Sequence, residues 1–201
     1  KTVKIRNGKW SPSGKIKKRE VLMLASGPKM KDYKIEIEKY IKIKKPFVMA
    51  LNTNVIISKK FIDAYVACNP LNLIADADLY KNLSSPLIVP QSLLSENLKK
   101  KFKKIKVLDF GIGVKENTFE FFNKGAILPK LYTLGYALAI ATSGNAARIL
   151  LAGFDGYGLN NIRTKEINKL FYNYSSMKKS KQLVSVTPTS YSVNSSSIYA
   201  F

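Results

Sequence analysis

Short polar side chains and glycines follow the apolar runs of this 201-residue chain, and they are its best candidates for ligand contacts. Ser26, Gly27 and Pro28 come directly after the apolar run 21–25. A buried strand that ends in a glycine turn and leads into a helix is typical of an anion pocket, because glycine permits a close approach and the first helix amides are unpaired. An ordinary Gly-Pro turn is the competing interpretation.

Later apolar runs end in the same way. The further candidate ligand contacts each follow a predicted strand: Asn52, Thr53, Asn69, Gly153, Asp155, Thr187 and Thr189. Because the carboxyl ends of parallel strands share one edge of a sheet, we expect these residues around one pocket. Asparagine and threonine side chains can bind a base or ribose there, or they can cap helices and build turns. Asp155 can accept from a sugar hydroxyl, orient another group, or form an Asx turn.

The chain has no histidine, which excludes histidine zinc sites, Ser-His-Asp and Cys-His nucleophiles, and an imidazole base. Cys68 is the only cysteine and ends an apolar run, so we predict a buried structural thiol in a protein of the reducing cytoplasm. The first strand is followed by neither Gly-x-Gly-x-x-Gly nor a Walker motif, which disfavours hydride transfer and ATP hydrolysis. No spacing of acidic side chains predicts a metal site.

The formal charge is +21, with 34 lysines and arginines against 13 acidic residues. The basic residues are spread along the chain, and the dense cluster is confined to Lys99–Lys101 with Lys103 and Lys104. This dispersal argues against nucleic acid as the partner and favours anionic small ligands such as nucleotides or sugar phosphates. No apolar stretch approaches the roughly 20 residues of a membrane span.

Apolar runs alternate with helical patterns, which predicts an α/β fold: a Rossmann-like, mostly parallel sheet with helices on both faces in a three-layer sandwich. The predicted strands are 20–25, 47–51, 64–68, 87–89, 105–110, 147–152 and 183–186. The predicted helices are 32–44, 58–62, 71–83, 92–103, 131–143 and 164–178. Residues 1–19 are expected to be a basic lead-in or linker, and 20–201 a single domain. The glycine-rich segment 111–129 is expected to be irregular, either a flap beside a pocket or a surface connection.

The segments 22–28, 50–52 and 150–155 resemble the Rossmann-like domain of bacterial sialyltransferases and of motility accessory factor-type glycosyltransferases. Lys29 stands where those proteins usually have serine. Their general base is a histidine, which this chain lacks, so their mechanism does not carry over. A stand-alone glycosyltransferase would need another base, either Asp155 or Tyr191 with its pKa lowered by neighbouring lysines.

A resemblance over most of the chain is to the C-terminal domain of bacterial aldolase-like proteins, which carry an N-terminal HMG-CoA lyase-like barrel and occur in surface-polysaccharide clusters. It rests on the Gly27-Pro28 turn and on the segments 46–52, 69–83, 153–156, 186–191 and 197–199. It implies a nucleotide- or sugar-phosphate-binding domain that needs no cofactor itself and forms the C-terminal part of a longer protein. A fused or associated barrel would carry the divalent metal and the lyase chemistry.

The same resemblance implies roles for single residues. Gly27 and Pro28 would approach a phosphate or ribose, and Asn52 would contact a base or ribose. Gly153 and Asp155 would contact the hydroxyls of a sugar or ribose. A basic nucleic-acid-associated protein remains the third hypothesis.

Overall fold

A computed structural model describes residues 7–158 and 160–201. Within these ranges the chain forms eleven strands and seven α-helices. The strands are β1 (Val21–Leu24), β2 (Phe47–Leu51), β3 (Ala64–Val66), β4 (Leu87–Val89), β5 (Val107–Asp109), β6 (Gly111–Val114), β7 (Glu120–Phe122), β8 (Gly125–Leu128), β9 (Ile149–Ala152), β10 (Leu183–Ser185) and β11 (Asn194–Ser195). The α-helices are α1 (Ser13–Ile16), α2 (Lys34–Lys44), α3 (Pro70–Ala75), α4 (Ala77–Tyr80), α5 (Glu96–Lys101), α6 (Thr133–Ser143) and α7 (Ile162–Ser175).

Eight of the described strands form one parallel sheet in the order β11-β10-β9-β1-β2-β3-β4-β5. The chain winds outward in one direction from β1 through β5. It then returns so that β9 pairs with the other side of β1, and it continues to β10 and β11. The direction of winding therefore reverses between β1 and β9, where Leu24 lies opposite both Ala50 and Ala152. This topology confirms the predicted Rossmann-like α/β fold.

Side chains of the central strands alternate between two apolar clusters, one on each face of the sheet. Met23 packs in the cluster that contains α6, whereas Leu22 and Leu24 pack in the cluster that contains α2. Since β1 is flanked by strands on both sides and covered on both faces, all four of its residues are buried, as expected of a parallel strand. Helices cover both faces, which confirms the predicted three layers.

Helix α6 is buried around most of its circumference because it contacts both the parallel sheet and a second, smaller sheet. The smaller sheet has the order β6-β8-β7, with β6 parallel and β7 antiparallel to β8. The prediction that 111–129 is irregular was therefore wrong. Gly125 lies opposite Gly111, and a Cβ atom there would come within 3.0 Å of the Gly111 carbonyl oxygen. Glycine is depleted in strands in general, so the glycines of this segment did not indicate the close pairing of β6 with β8.

The described part of the predicted lead-in, residues 7–19, packs into the domain rather than standing apart from it. The Gly8 amide donates to Lys124 O at 2.8 Å, and the Trp10 amide donates to Asp109 O at 2.9 Å. Ile16 in α1 is fully buried. Residues 1–6 lie outside the described residues.

The predicted helix 71–83 is two short helices, α3 and α4, because the backbone leaves the helical region at Asp76. In the described ranges, no helix has both the length and the hydropathy that crossing a bilayer requires.

Cys68 is buried just after β3, which confirms the predicted structural thiol. Burial raises the pKa of this thiol to about 12, so the reactive thiolate is scarce near neutral pH. We expect 5,5′-dithiobis(2-nitrobenzoate) to label the native protein at pH 8 at least tenfold more slowly than the protein unfolded in urea. Equal labelling rates in the two states would contradict the buried site.

Candidate functional site

A cleft of about 450 Å³ opens at the carboxyl ends of β1 and β9, where the winding direction reverses. In doubly wound sheets this crevice is the usual ligand site, and the volume falls within the roughly 300–1,000 Å³ typical of small-molecule sites. The predicted site residues that line it are Ser26, Gly27, Pro28, Asn52, Gly153, Asp155 and Tyr191. The structure thus brings together the residues that follow β1, β2 and β9.

The other predicted contacts are absent from the described lining of this cleft. Asn69 caps α3, accepting from the backbone two residues later at 2.9 Å. Thr187 is buried, and its hydroxyl oxygen accepts from the Gly153 amide at 2.9 Å. Thr189 donates to a backbone carbonyl in the turn after β9 at 2.5 Å. Thr187 and Thr189 therefore support the turn that lines the cleft, while Thr53 is half-buried outside the lining.

The turns after β1 and β9 are joined by direct contacts. The Gly27 amide donates to Gly153 O at 2.8 Å, and Asp155 Oδ2 accepts from the Lys29 amide at 2.7 Å. A Cβ atom on Gly27 would lie well under 3.0 Å from both Asp155 Oδ1 and Gly153 O. Gly27 is thus required by the approach of the protein's own turn, not of a ligand. The backbone amide expected to hold an anion already binds a carboxylate.

Asp155 Oδ1 is buried and accepts no hydrogen bond from any residue that the structure describes. A buried acceptor left without a partner costs roughly 1–3 kcal/mol, and more when it is charged. The residue itself is half-buried at the cleft wall. The negative charge of this carboxylate makes a ligand hydroxyl a better neighbour on this side of the cleft than a phosphate oxygen.

Tyr191 does not have the lowered pKa that a catalytic base would need. Burial, together with Tyr157 and Asp155 nearby, raises the pKa of Tyr191 to about 12. Its ring packs edge-on against Phe171, with 5.8 Å between the ring centroids. The prediction of a lysine-lowered pKa was wrong, and Tyr191 serves as a neutral hydroxyl and an aromatic wall.

Several residues that line the cleft do not follow a strand and were not predicted from the sequence. Tyr132, Thr133 and Leu134 line the cleft at the start of α6. The positive end of the dipole of this 11-residue helix therefore faces the cleft. No side-chain cap and no acidic residue in the first turn offsets that positive end. A helix that leads into a parallel strand starts at the carboxyl edge of the sheet, and this rule could have found these residues from the predicted helix 131–143.

The cleft itself carries little of the protein's positive charge. The described lining residues include no lysine or arginine, and Asp155 is the one charged residue among them. Cations stand at the rim: Lys29 is exposed beside the β1 turn, and Arg163 Cζ lies 5.4 Å from the centroid of the Tyr157 ring. The lysine cluster 99–104 lies on and after α5, next to the outer strand β5, where charge discourages edge-to-edge pairing.

Across residues 7–158 and 160–201, no group of three or more cysteine, aspartate or glutamate side chains is placed to hold a metal ion. The sequence matches no protein-family model, no curated protein is significantly similar to it, and no solved structure significantly matches the fold.

Proposed function

We propose that this chain is a nucleotide- or sugar-phosphate-binding domain, and that the ligand binds in the cleft between the ends of β1 and β9. The position of the cleft carries the proposal. It lies where the winding of the sheet reverses, since the chain after β1 leads to α2 on one face of the sheet and the chain after β9 leads to α7 on the other.

The chemistry of the cleft suits a nucleoside with its phosphates turned toward α6. Asp155 and the Asn52 amide can bind ribose hydroxyls or the edge of a base. Tyr157 is 56% exposed and offers a ring face on which a planar base can stack. The start of α6, at Thr133, supplies unpaired amides and a positive dipole end for a phosphate. The exposed Lys29 adds positive charge at the rim.

The resemblance to aldolase-like proteins extends the proposal. A fused or associated barrel would hold the divalent metal and perform the aldol step of surface-polysaccharide biosynthesis in the bacterial cytoplasm. This domain would bind the nucleotide or acidic sugar. Binding without catalysis is favoured over a stand-alone glycosyltransferase, because Tyr191 has a raised pKa and one Asp155 oxygen already accepts from the Lys29 amide.

Replacing Asn52 with glycine should weaken nucleotide binding by about tenfold, the effect of losing one well-made hydrogen bond. Asn52 has φ 60°, a left-handed conformation that glycine adopts freely, so the change removes the amide without straining the backbone. Calorimetry with CMP, UDP, GDP and CMP-sialic acid at moderate salt measures the effect. Asn145→Gly is the matched control, since Asn145 has φ 57° and lies just beyond the far end of α6.

Three results would count against this proposal. Failure of all four compounds to bind at millimolar concentration would contradict it. Equal losses of affinity in Asn52→Gly and Asn145→Gly would place the ligand elsewhere. Retention on DNA that survives about 0.3 M salt, without nucleotide binding, would support a nucleic-acid partner instead, because non-specific phosphate contacts weaken steeply with salt.

A further inference from the structure

A second cavity of about 250 Å³ adjoins the cleft, and Tyr132 lines both. Its lining residues are Glu116, Asn117, Pro129, Lys130, Tyr132, Glu166, Lys169, Leu170 and Asn173. Helix α7 runs past both spaces, because Ile167 faces the cleft while its neighbours Glu166 and Lys169 line the second cavity. The two spaces are therefore neighbours, with Tyr132 and α7 common to both.

The wall between the two spaces is held in place by Glu166. Its carboxylate accepts from Lys130 Nζ at 2.5 Å and from the Tyr132 hydroxyl at 2.6 Å. The same two donors, the lysine first, lower the pKa of the Glu166 carboxyl, so it is ionised at neutral pH. The Lys130 ammonium also lies 5.9 Å from the centroid of the Tyr132 ring. Tyr132 is therefore fixed as an aromatic wall before any ligand arrives.

The second cavity offers both donors and acceptors with little net charge. Two lysines face two glutamates, and Lys130 and Glu166 already pair with each other. Lys169 makes no ion pair with any residue that the structure describes, so its ammonium is available as a donor. Asn117 and Asn173 each add an amide that can donate and accept. Mixed donors and acceptors beside an aromatic ring and Leu170 suit the hydroxyls and the apolar face of a sugar ring.

The size supports the same class of ligand. A volume of 250 Å³ equals the space of roughly eight water molecules in the liquid, which is enough for one monosaccharide. We infer that the second cavity is the sugar subsite of a nucleotide sugar, whose nucleoside occupies the cleft and whose monosaccharide lies beyond Tyr132 among Asn117, Lys169 and Asn173. This inference rests on the proposed nucleotide-binding function of the cleft.

The test compares each bare nucleotide with its sugar conjugate by calorimetry: UDP with UDP-glucose, GDP with GDP-mannose, and CMP with CMP-sialic acid. We expect at least one conjugate to bind about tenfold more tightly than its bare nucleotide. Asn173→Ala and Lys169→Ala should each remove most of that gain and leave the Kd of the bare nucleotide unchanged. Lys165→Ala, an exposed lysine one turn earlier on α7 and outside the described lining of both cavities, should change neither Kd.

The outcomes separate this inference from the proposal beneath it. If no bare nucleotide and no conjugate binds, the proposed function fails and this inference fails with it. If a nucleotide binds but no conjugate binds more tightly, only the sugar subsite is overturned. A gain that survives both Asn173→Ala and Lys169→Ala places the sugar elsewhere and also overturns it. Alanine is favoured in a helix, so both variants should stay folded. Thermal melts of each variant check that a weaker binding of the conjugate does not come from unfolding.

Discussion

Replacing Gly27 with alanine is expected to lower the free energy of unfolding by about 3 kcal/mol, at the upper end of typical overpacking costs. The added methyl group would meet Asp155 Oδ1 and the backbone oxygen of Gly153, both well under 3.0 Å away. A backbone oxygen cannot rotate aside, so the turns after β1 and β9 must separate. The backbone at Gly27 has φ −57° and ψ 137°, which alanine accepts, so the effect is steric. Urea unfolding followed by circular dichroism measures it.

Gly14 is the matched control for this substitution. It lies in α1, and a Cβ atom there would meet nothing within 4 Å. Gly14→Ala should therefore raise the free energy of unfolding, by up to about 1 kcal/mol, because alanine is the better helix former. Two variants with the same chemical change would then shift stability in opposite directions. A Gly27→Ala protein as stable as the parent would refute the close contact between the two turns.

The contact at Gly27 also shows why the cleft differs from a phosphate loop. Asp155 reaches across from the β9 turn and binds the Lys29 amide, so the carboxylate takes the place that an anion would hold at the 3-10 turn Pro28–Tyr33. An anionic group is better received at the start of α6, which lacks a side-chain cap. The two ends of the cleft thus suit different parts of one ligand: hydroxyls near Asp155 and phosphate near Thr133.

The fold could be predicted from the sequence because its central elements are encoded locally. The apolar runs at β1, β2 and β9 are too short for helices and are separated by helical patterns, which is the signature of a parallel sheet covered on both faces. The parallel arrangement then places all the strand ends at one edge. That single rule predicts that Gly27, Asn52 and Asp155 lie close together, and all three line the cleft.

What the sequence could not show depends on contacts between distant residues. The strands β6 and β8 contain glycines and become regular only because they pair with each other. The hydroxyls of Thr187 and Thr189 looked like ligand contacts, but the turn after β9 uses them. Tyr191 is half-buried because its ring packs against Phe171 on α7, and the sequence alone does not show that contact. In each case the residue type suits several structural or binding roles. The contact with a residue distant in the sequence determines which of these roles it has.

Ile16→Ala is expected to destabilise the protein by about 2–5 kcal/mol, the range for removing a large aliphatic side chain from a packed core. In the structure Ile16 is fully buried, and it would become exposed to solvent only if residues 7–19 detached from the domain. It packs against Gly144 just after α6, where a Cβ atom would come within 2.7 Å of the Ile16 Cβ.

Lys15→Ala, an exposed neighbour in the same short helix, should change stability by less than about 0.5 kcal/mol. Urea unfolding of the two variants measures the difference. Equal stabilities would mean that residues 7–19 behave as a separate linker after all. A large difference would mean that α6, whose first turn faces the cleft, is held at its other end by a segment with the composition of a lead-in.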